Sequence, residues 1–364
     1  MITRPALALA AAACSLALLT ACGDDKSSKD ERGTTTAKGE DLSAVKAYLL
    51  AHTERLVNDT TASRNNAEGY YKLAKSVDFD YARLLDEHRA EVRRMVHQAQ
   101  EDFVKANPAY EEMEGVVAGV PSLADYDVNI DAGGDASDPE NAVSFDVTTP
   151  AGRTFKQPGN YNYLIETTVF GTEPKFQAKG VKADLDGDGK VEFGESVPDA
   201  DFYVAAARSF EKYARELDEA SRGWQPTSSD ALTALVVMTP TMSDMFEAWK
   251  NSRAVAGDKA TEKVFVAASR LQDIADILGG LVLIYDNVEP LVAKADRQQA
   301  TQTRESLTKL LAFAAELRDK EAGGRKYTAE EADTLGAQAQ ERAEAIAGQV
   351  TQAAAKLDIQ LEDS

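Results

Sequence analysis

The chain has 364 residues, 61 acidic against 40 basic, and a formal net charge of −21. Such an excess argues against nucleic acid and anionic membrane faces as partners and is compatible with cations. Its two cysteines, Cys14 and Cys22, both precede the body, so no disulfide is available there and a hydrophobic core must hold it together.

The first segment carries Arg4, an apolar stretch over 6–19, and then Leu19, Thr20, Ala21 and Cys22. A basic head, a short apolar core and small residues before a cut describe a secretory signal and not a spanning helix. The ending resembles the bacterial lipobox. On that basis residues 1–22 are expected to be a lipoprotein signal with Cys22 diacylated; an ordinary signal peptide with an incidental cysteine is the alternative. The mature protein is then secreted and lipid-anchored to the extracytoplasmic face, since two acyl chains suffice for stable attachment. Residues 23–41, polar apart from Ala37, read as a flexible tether.

From residue 42 the pattern is helical. Leu42, Val45, Tyr48, Leu49, His52 and Leu56 recur at three- and four-residue spacing. Tyr81, Leu84, Leu85, His88, Val92, Met95, Ala99 and Phe103 continue that rhythm in a second helix, which Asn107 and Pro108 are expected to stop. Over 116–159 prolines and glycines accumulate, and Val143, Phe145 and Val147 alternate with polar residues, which predicts a short strand or hairpin.

A third helix follows Pro198 with Phe202, Ala206, Phe210, Tyr213 and Leu217, and Gly223, Trp224, Gln225 and Pro226 break the chain. Beyond the break, Val264, Ala268, Leu271, Ile274, Leu278, Leu281 and Tyr285 predict one stripe, and Leu307, Leu310, Leu311, Ala314 and Leu317 another. Thr328 with Glu331 is a capping box that opens the last helix. The apolar run 277–284 is too short for a membrane span and contains Gly279 and Gly280. The fold class is mainly α: two antiparallel helical bundles, 42–223 and 224–364, with an irregular, partly β insert.

The sharpest motif lies at 184–195. Calcium takes six to eight oxygens, and a twelve-residue EF-hand-type loop supplies them from fixed positions. Here these are Asp184, Asp186, Asp188, the Lys190 carbonyl, Glu192 and a bidentate Glu195, with Gly189 at the sharp turn and Val191 where an apolar residue usually packs. An acidic surface loop matching by chance is the bland alternative. The polar, glycine-broken approach over 175–183 does not predict a preceding helix, so the loop reads as a structural clamp and not a sensor.

Of the three histidines, His52 and His88 fall on apolar faces and read as hydrogen-bonded core residues, while His97 reads as solvated. There is no HExxH, no phosphate loop and no GxSxG in the chain, so no catalytic constellation is expected.

A second acidic group follows Pro108: Tyr110, Glu111, Glu112 and Glu114, then Asp125, Asp127 and Asp131. Further on, Tyr161, Asn162, Tyr163 and Glu166 open an apolar helix that ends at Phe170 and Gly171. Glu111 and Glu114 share one helix face, as do Tyr163 and Glu166, and carboxylates with phenols suit calcium, iron(III) or manganese. Surface carboxylates beside core tyrosines are the alternative.

This order of segments resembles the imelysin and EfeO-type family of periplasmic or lipid-anchored bacterial proteins tied to iron uptake. The tyrosine–glutamate segment at 110–114, the aspartate-rich stretch 125–131 and the helix at 161–166 carry the resemblance, with Phe246, Glu247 and Trp249 continuing it. The family's His-x-x-Glu motif has Tyr163 in place of its histidine, and the loop at 184–195 looks like an insert between the family's core helices. The resemblance implies two four-helix bundles around a cleft and a metal site drawing on Glu111, Glu114, Asp127, Asp131, Tyr163 and Glu166. It also implies iron or another transition metal beside structural calcium, and a membrane permease as partner. The competing expectation is a calcium-stabilised cell-envelope scaffold without a transition metal.

Overall fold

The structure is a computed structural model, and residues 41–362 are described. The signal segment, Cys22 and nearly all of the tether lie outside the described residues.

Helix α1 (Ser43–Ser76) runs antiparallel to α2 (Tyr81–Val117). Asp80 starts α2 by accepting the Arg83 amide at 3.0 Å, an N-cap that satisfies an otherwise unpaired donor. The expected stop at Pro108 does not occur, and α2 continues through it to Val117. A proline inside a helix forfeits one backbone hydrogen bond. Beyond it, Ala109, Tyr110, Met113, Val116 and Val117 are all buried, and their packing outweighs that loss.

A short helix α3 (Ala124–Asp127) passes directly into a π turn (Val128–Ala132). The expected hairpin is present as β1 (Asp146–Thr148) and β2 (Thr154–Lys156), with Val147 opposite Phe155. Helix α4 (Tyr161–Val169) is capped by Asn160, and α5 (Ala200–Gly223) by Asp199. The break after Gly223 is where it was expected. Helices α6 (Ser228–Met238), α7 (Met242–Asn251) and the short α8 (Arg253–Ala256) follow. The chain ends in α9 (Arg270–Ala295), α10 (Arg297–Ala322) and α11 (Ala329–Lys356), the last opened by the Thr328–Glu331 capping box.

One bundle is α1, α2 and α5, with α4 against α2 and α5. The other is α6, α7, α9, α10 and α11. They share a face, because α2 packs along α9 and one hydrophobic core spans both. The described body is one compact unit, mainly α, with a single small hairpin among the described residues.

Two glycines explain how closely α2 and α9 approach. A Cβ on Gly280 would lie 2.6 Å from the Glu112 carbonyl oxygen, and one on Gly115 would lie 2.9 Å from the Leu281 side chain. The glycine-bearing run 277–284 is therefore a buried helix–helix contact. Among the described residues no helix is long and apolar enough to cross a membrane.

One expectation is corrected here. Val264 and Ala268 are not in the stripe of α9, which begins only at Arg270. Residues 261–269 form an irregular strap, in which Phe265 has φ +57°, a left-handed conformation costly for a bulky side chain. Side-chain contacts described below hold it in place.

Candidate metal centre

The shared α2–α9 face carries the acidic group. Asn107, Tyr110, Glu111 and Glu114 project from one side of α2, and Arg270 and Asp273 from the first turn of α9. The end of α3 adds Asp127, and the π turn after it adds Asp131. π turns often mark functional positions.

One carboxylate oxygen from each of Glu111, Glu114 and Asp131 can be chosen so that the three lie within 4.8 Å of one another. Glu111 and Glu114 are almost fully buried, at 1% and 4% exposure. Neutral amides orient their neighbours: Asn162 Nδ2 donates to Asp131 Oδ1 at 3.0 Å, and Asn107 Nδ2 to Asp273 Oδ1 at 2.9 Å. Each aspartate thus keeps its other oxygen for the centre, an arrangement typical of ligands fixed by an outer layer of hydrogen bonds. Tyr110 donates its hydroxyl to Asp127 at 2.6 Å.

Arg270 is the buried cation of this centre. Its Nη1 lies 3.4 Å from Glu111 Oε2, 3.4 Å from Asp273 Oδ2 and 3.8 Å from Asp131 Oδ2. One positive charge cannot match five carboxyls, and the imbalance appears in their proton affinities. Burial, then the neighbouring carboxylates, pushes Glu111 and Glu114 well above the ordinary range. Burial pushes Asp127 up to about 7 against the opposing Tyr110 hydrogen bond, and Asp273 up to about 6 against Arg270. Burial also works against the charge on Arg270, but Asp131, Glu111, Asp273 and Glu114 outweigh it and hold the guanidinium protonated. Glu111 Oε1, Glu114 Oε2 and Arg270 Nε find no hydrogen-bond partner among the described residues. Buried unpaired oxygens of this kind call for protons or a cation. An all-oxygen donor set fits a hard ion.

Tyr163 and Glu166 do not join this group. Glu166 accepts the strap amides of Phe265 at 3.0 Å, Val266 at 2.9 Å and Ala267 at 3.1 Å. Burial still pushes its carboxyl up to about 7, against these three hydrogen bonds. Tyr163 donates to Glu173 Oε2 at 2.8 Å, and Lys263 of the strap meets the same oxygen at 2.5 Å. The expectation that this pair serves as metal ligands is therefore corrected: both hold the strap, directly or through Glu173. The strap, α4 and the acidic centre enclose a cavity of about 370 Å³ lined by Asp131, Asn162, Glu166, Glu262, Phe265 and Asp273 among others.

Sequence reasoning missed Arg270, Asp273 and the two orienting amides. A signal existed: Arg270 and Asp273 stand in phase with Ile274, Ile277 and Leu281, so the apolar stripe of α9 begins with two charges on its buried side.

The loop at 184–195 has a different construction. Asp184, Asp186 and Asp188 each offer an oxygen within 4.8 Å of the others. Asp184 accepts the Gly187 and Gly189 amides at 2.7 and 3.1 Å. Asp186 accepts that of Asp188 at 3.0 Å, and Asp188 that of Lys190 at 2.7 Å. Glu195 reaches back to Leu185 at 2.8 Å and Asp186 at 3.1 Å, and to Glu192 at 2.8 Å. Gly187 and Gly189 adopt φ of +83° and +90°, open to glycine at little cost. No α-helix precedes the loop, as expected. Leu185 is buried, but Val191 is exposed, which corrects the expectation that it packs. The loop ends are pinned by an isolated bridge between Gln177 and Pro198, and Gln100 of α2 donates to the Gly194 carbonyl at 2.6 Å.

The histidines play no part in either cluster. His52 pairs with Glu112 at 2.8 Å and with the Tyr48 carbonyl at 2.7 Å, His88 sits half-exposed at a kink in α2, and His97 faces solvent beside Glu101 at 3.3 Å.

Among curated proteins none matches the chain. The profile of the family described as Imelysin matches residues 80–358, from α2 to the end of α11, and therefore takes in both acidic clusters and the helices that carry them. Matched over more than half its length, the chain belongs to the imelysin family, which is associated with iron uptake and related metal functions.

Proposed function

We propose that this protein is an extracytoplasmic, lipid-anchored cation-binding component of an iron or similar metal uptake system, with calcium as a structural ion in the 184–195 loop. The observation that carries the reading is the pair of unpartnered buried oxygens on Glu111 and Glu114, within a trio of carboxylates close enough to share one ion. Asp131 completes the trio, and Asp127 and Asp273 add negative charge behind it. Hard oxygen donors favour iron(III) or manganese(II) over softer metals. Anchoring through Cys22 places such a site where a membrane permease could receive its ion. Binding and handover require no bond-making chemistry, and the reading is non-enzymatic.

Calcium at the loop rests on its acidic spacing and on a backbone already folded around the acidic side chains. Asp184, Asp186, Asp188, Glu192 and Glu195 with the Lys190 carbonyl would form the shell.

A second reading has its own observation. Arg270 already faces three of the buried carboxylates, which suits a calcium-stabilised envelope scaffold whose acidic centre is merely structural. Titration of the full-length chain with iron(III), delivered as a weak chelate, and with manganese(II) separates the two. Calcium is present at saturation, and thermal unfolding is the readout. On the uptake reading either metal raises the melting temperature and Glu114→Gln abolishes the rise. A response to calcium alone, lost in Asp184→Ala with Glu195→Ala, would leave the scaffold reading standing.

A further inference from the structure

The centre is already occupied by a charge of the chain's own. Arg270 Nη1 stands within 3.4 to 3.8 Å of Glu111, Asp273 and Asp131. An ion shared by Glu111, Glu114 and Asp131 would lie against it, and two cations that close in a buried setting repel strongly. We infer that Arg270 is a displaceable internal counter-cation, which leaves the carboxylates when a metal ion arrives and swings into the adjoining cavity toward Glu262. The inference rests on the metal-site reading above and adds how that site chooses its ion.

Three features make the exchange physical. The guanidinium is drawn to the carboxylates by charge but is not locked by short contacts: Nε has no partner, and the 3.4 Å contacts of Nη1 are long for charge-assisted hydrogen bonds. It has somewhere to go, because the cavity of about 370 Å³ begins at Asp273 and Asp131 and contains half-buried Glu262. It also has a surface to move over. Its Cζ lies 4.6 Å from the Phe265 ring centroid, and a cation sliding across an aromatic face keeps part of its stabilisation. Glu262 already feels the guanidinium, whose charge opposes the upward push of burial on its carboxyl.

The consequence is selection by charge. A monovalent ion gains little by replacing one positive charge with another. A divalent or trivalent ion leaves the carboxylates better neutralised and releases Arg270 to pair with Glu262. Arg270 is in this sense a positioning and specificity residue and not a ligand.

The test is equilibrium dialysis of manganese(II) against the full-length chain carrying Asp184→Ala and Glu195→Ala, so that the surface loop contributes nothing. Arg270→Gln in that background should bind manganese more tightly, by on the order of tenfold or more. Glu262→Gln should weaken binding several-fold when Arg270 is present and have no effect when it is absent. Unchanged or weaker binding in Arg270→Gln, with binding still abolished by Glu114→Gln, overturns the exchange and leaves the metal site intact. If Arg270→Gln fails to fold, Glu262→Gln decides alone, and an unchanged affinity overturns the proposal. No manganese bound by any of the chains at the acidic centre removes the site and the exchange together.

Discussion

The protein builds two acidic clusters by opposite means. The loop at 184–195 draws its carboxylates from a dozen consecutive residues, holds them at or near the surface, and satisfies them largely with its own backbone amides. The buried centre draws on four separate segments and lies largely out of solvent. It is held by neutral asparagines and one arginine, with two oxygens left over. An exposed cluster tolerates its own repulsion because water screens it, whereas a buried one must find protons, a guanidinium or a metal. On the proposed reading, the loop should be emptied or filled at small cost to the fold. The centre is coupled to the packing of α2 on α9, and any change of charge there is felt by the whole core.

The sharpest way to break that contrast is to remove one charge from each cluster. Without added metal, Arg270→Gln should lower the stability of the folded chain by about 3–5 kcal/mol, the cost of leaving buried carboxylates uncompensated. Asp184→Ala without calcium should cost no more than about 1 kcal/mol. Urea unfolding of both variants measures this, and equal losses would contradict the distinction.

The response to pH sharpens it further. Burial pushes Glu166 and Asp127 up to about 7 and Asp273 up to about 6 in the folded state. Ordinary carboxyls in the unfolded chain titrate near about 4. Between those limits the folded state holds protons that the unfolded state has released, so these groups make stability fall as pH rises from about 4 to 7. The metal-free chain should therefore be more stable at pH 5.5 than at pH 7.5, by a few kcal/mol. Its urea midpoint at the two values checks this. Removing the loop carboxylates Asp184 and Glu195 should leave the difference in place; if the difference disappears with them, the buried groups are not its source.

Calcium should act on the other cluster only. At a hundred times its dissociation constant it should add about 2.7 kcal/mol to the stability of the native chain, and Asp184→Ala with Glu195→Ala should abolish the gain. A gain that survives this double substitution but disappears in Glu114→Gln would place calcium in the buried centre instead.

The most local expected effect concerns the strap. Glu166→Gln keeps the shape but weakens the hydrogen bonds to Phe265, Val266 and Ala267, at a cost of about 1–2 kcal/mol. Those three amides should exchange with solvent faster, while the amides of the loop at 184–195 keep their protection. Unchanged exchange at 265–267 would mean that Glu166 does not hold the strap.

The same contrast governs what could be read in advance. A contiguous loop carries its pattern in its spacing, so the acidic positions of 184–195 could be named residue by residue, although Val191 does not pack as expected. Helices α1, α5, α10 and α11 were legible from their stripes, and α11 also from its capping box, because burial on one face is a periodic signal. Glu111, Glu114 and Asp131 could be named as candidates from their chemistry. Nothing local, however, revealed that Arg270 and Asp273, more than a hundred residues away, close the same centre. Tyr163 and Glu166 were misassigned because their one-turn spacing places them on a common face without saying what that face meets. It meets the strap, which reads as helix only because its apolar residues fall in phase with those of α9. Pro108 was overvalued as a stop because the packing it had to overcome is tertiary.

The most direct test is to locate the ion. Crystals of the full-length chain grown with calcium and soaked in manganese(II) would be examined by anomalous scattering at the manganese edge. The expected result is a peak between Glu111, Glu114 and Asp131, with the Arg270 guanidinium displaced toward Glu262. A peak confined to the 184–195 loop, or none in the presence of Arg270 and none in its Gln variant, would contradict the claim that the buried carboxylates form a cation site.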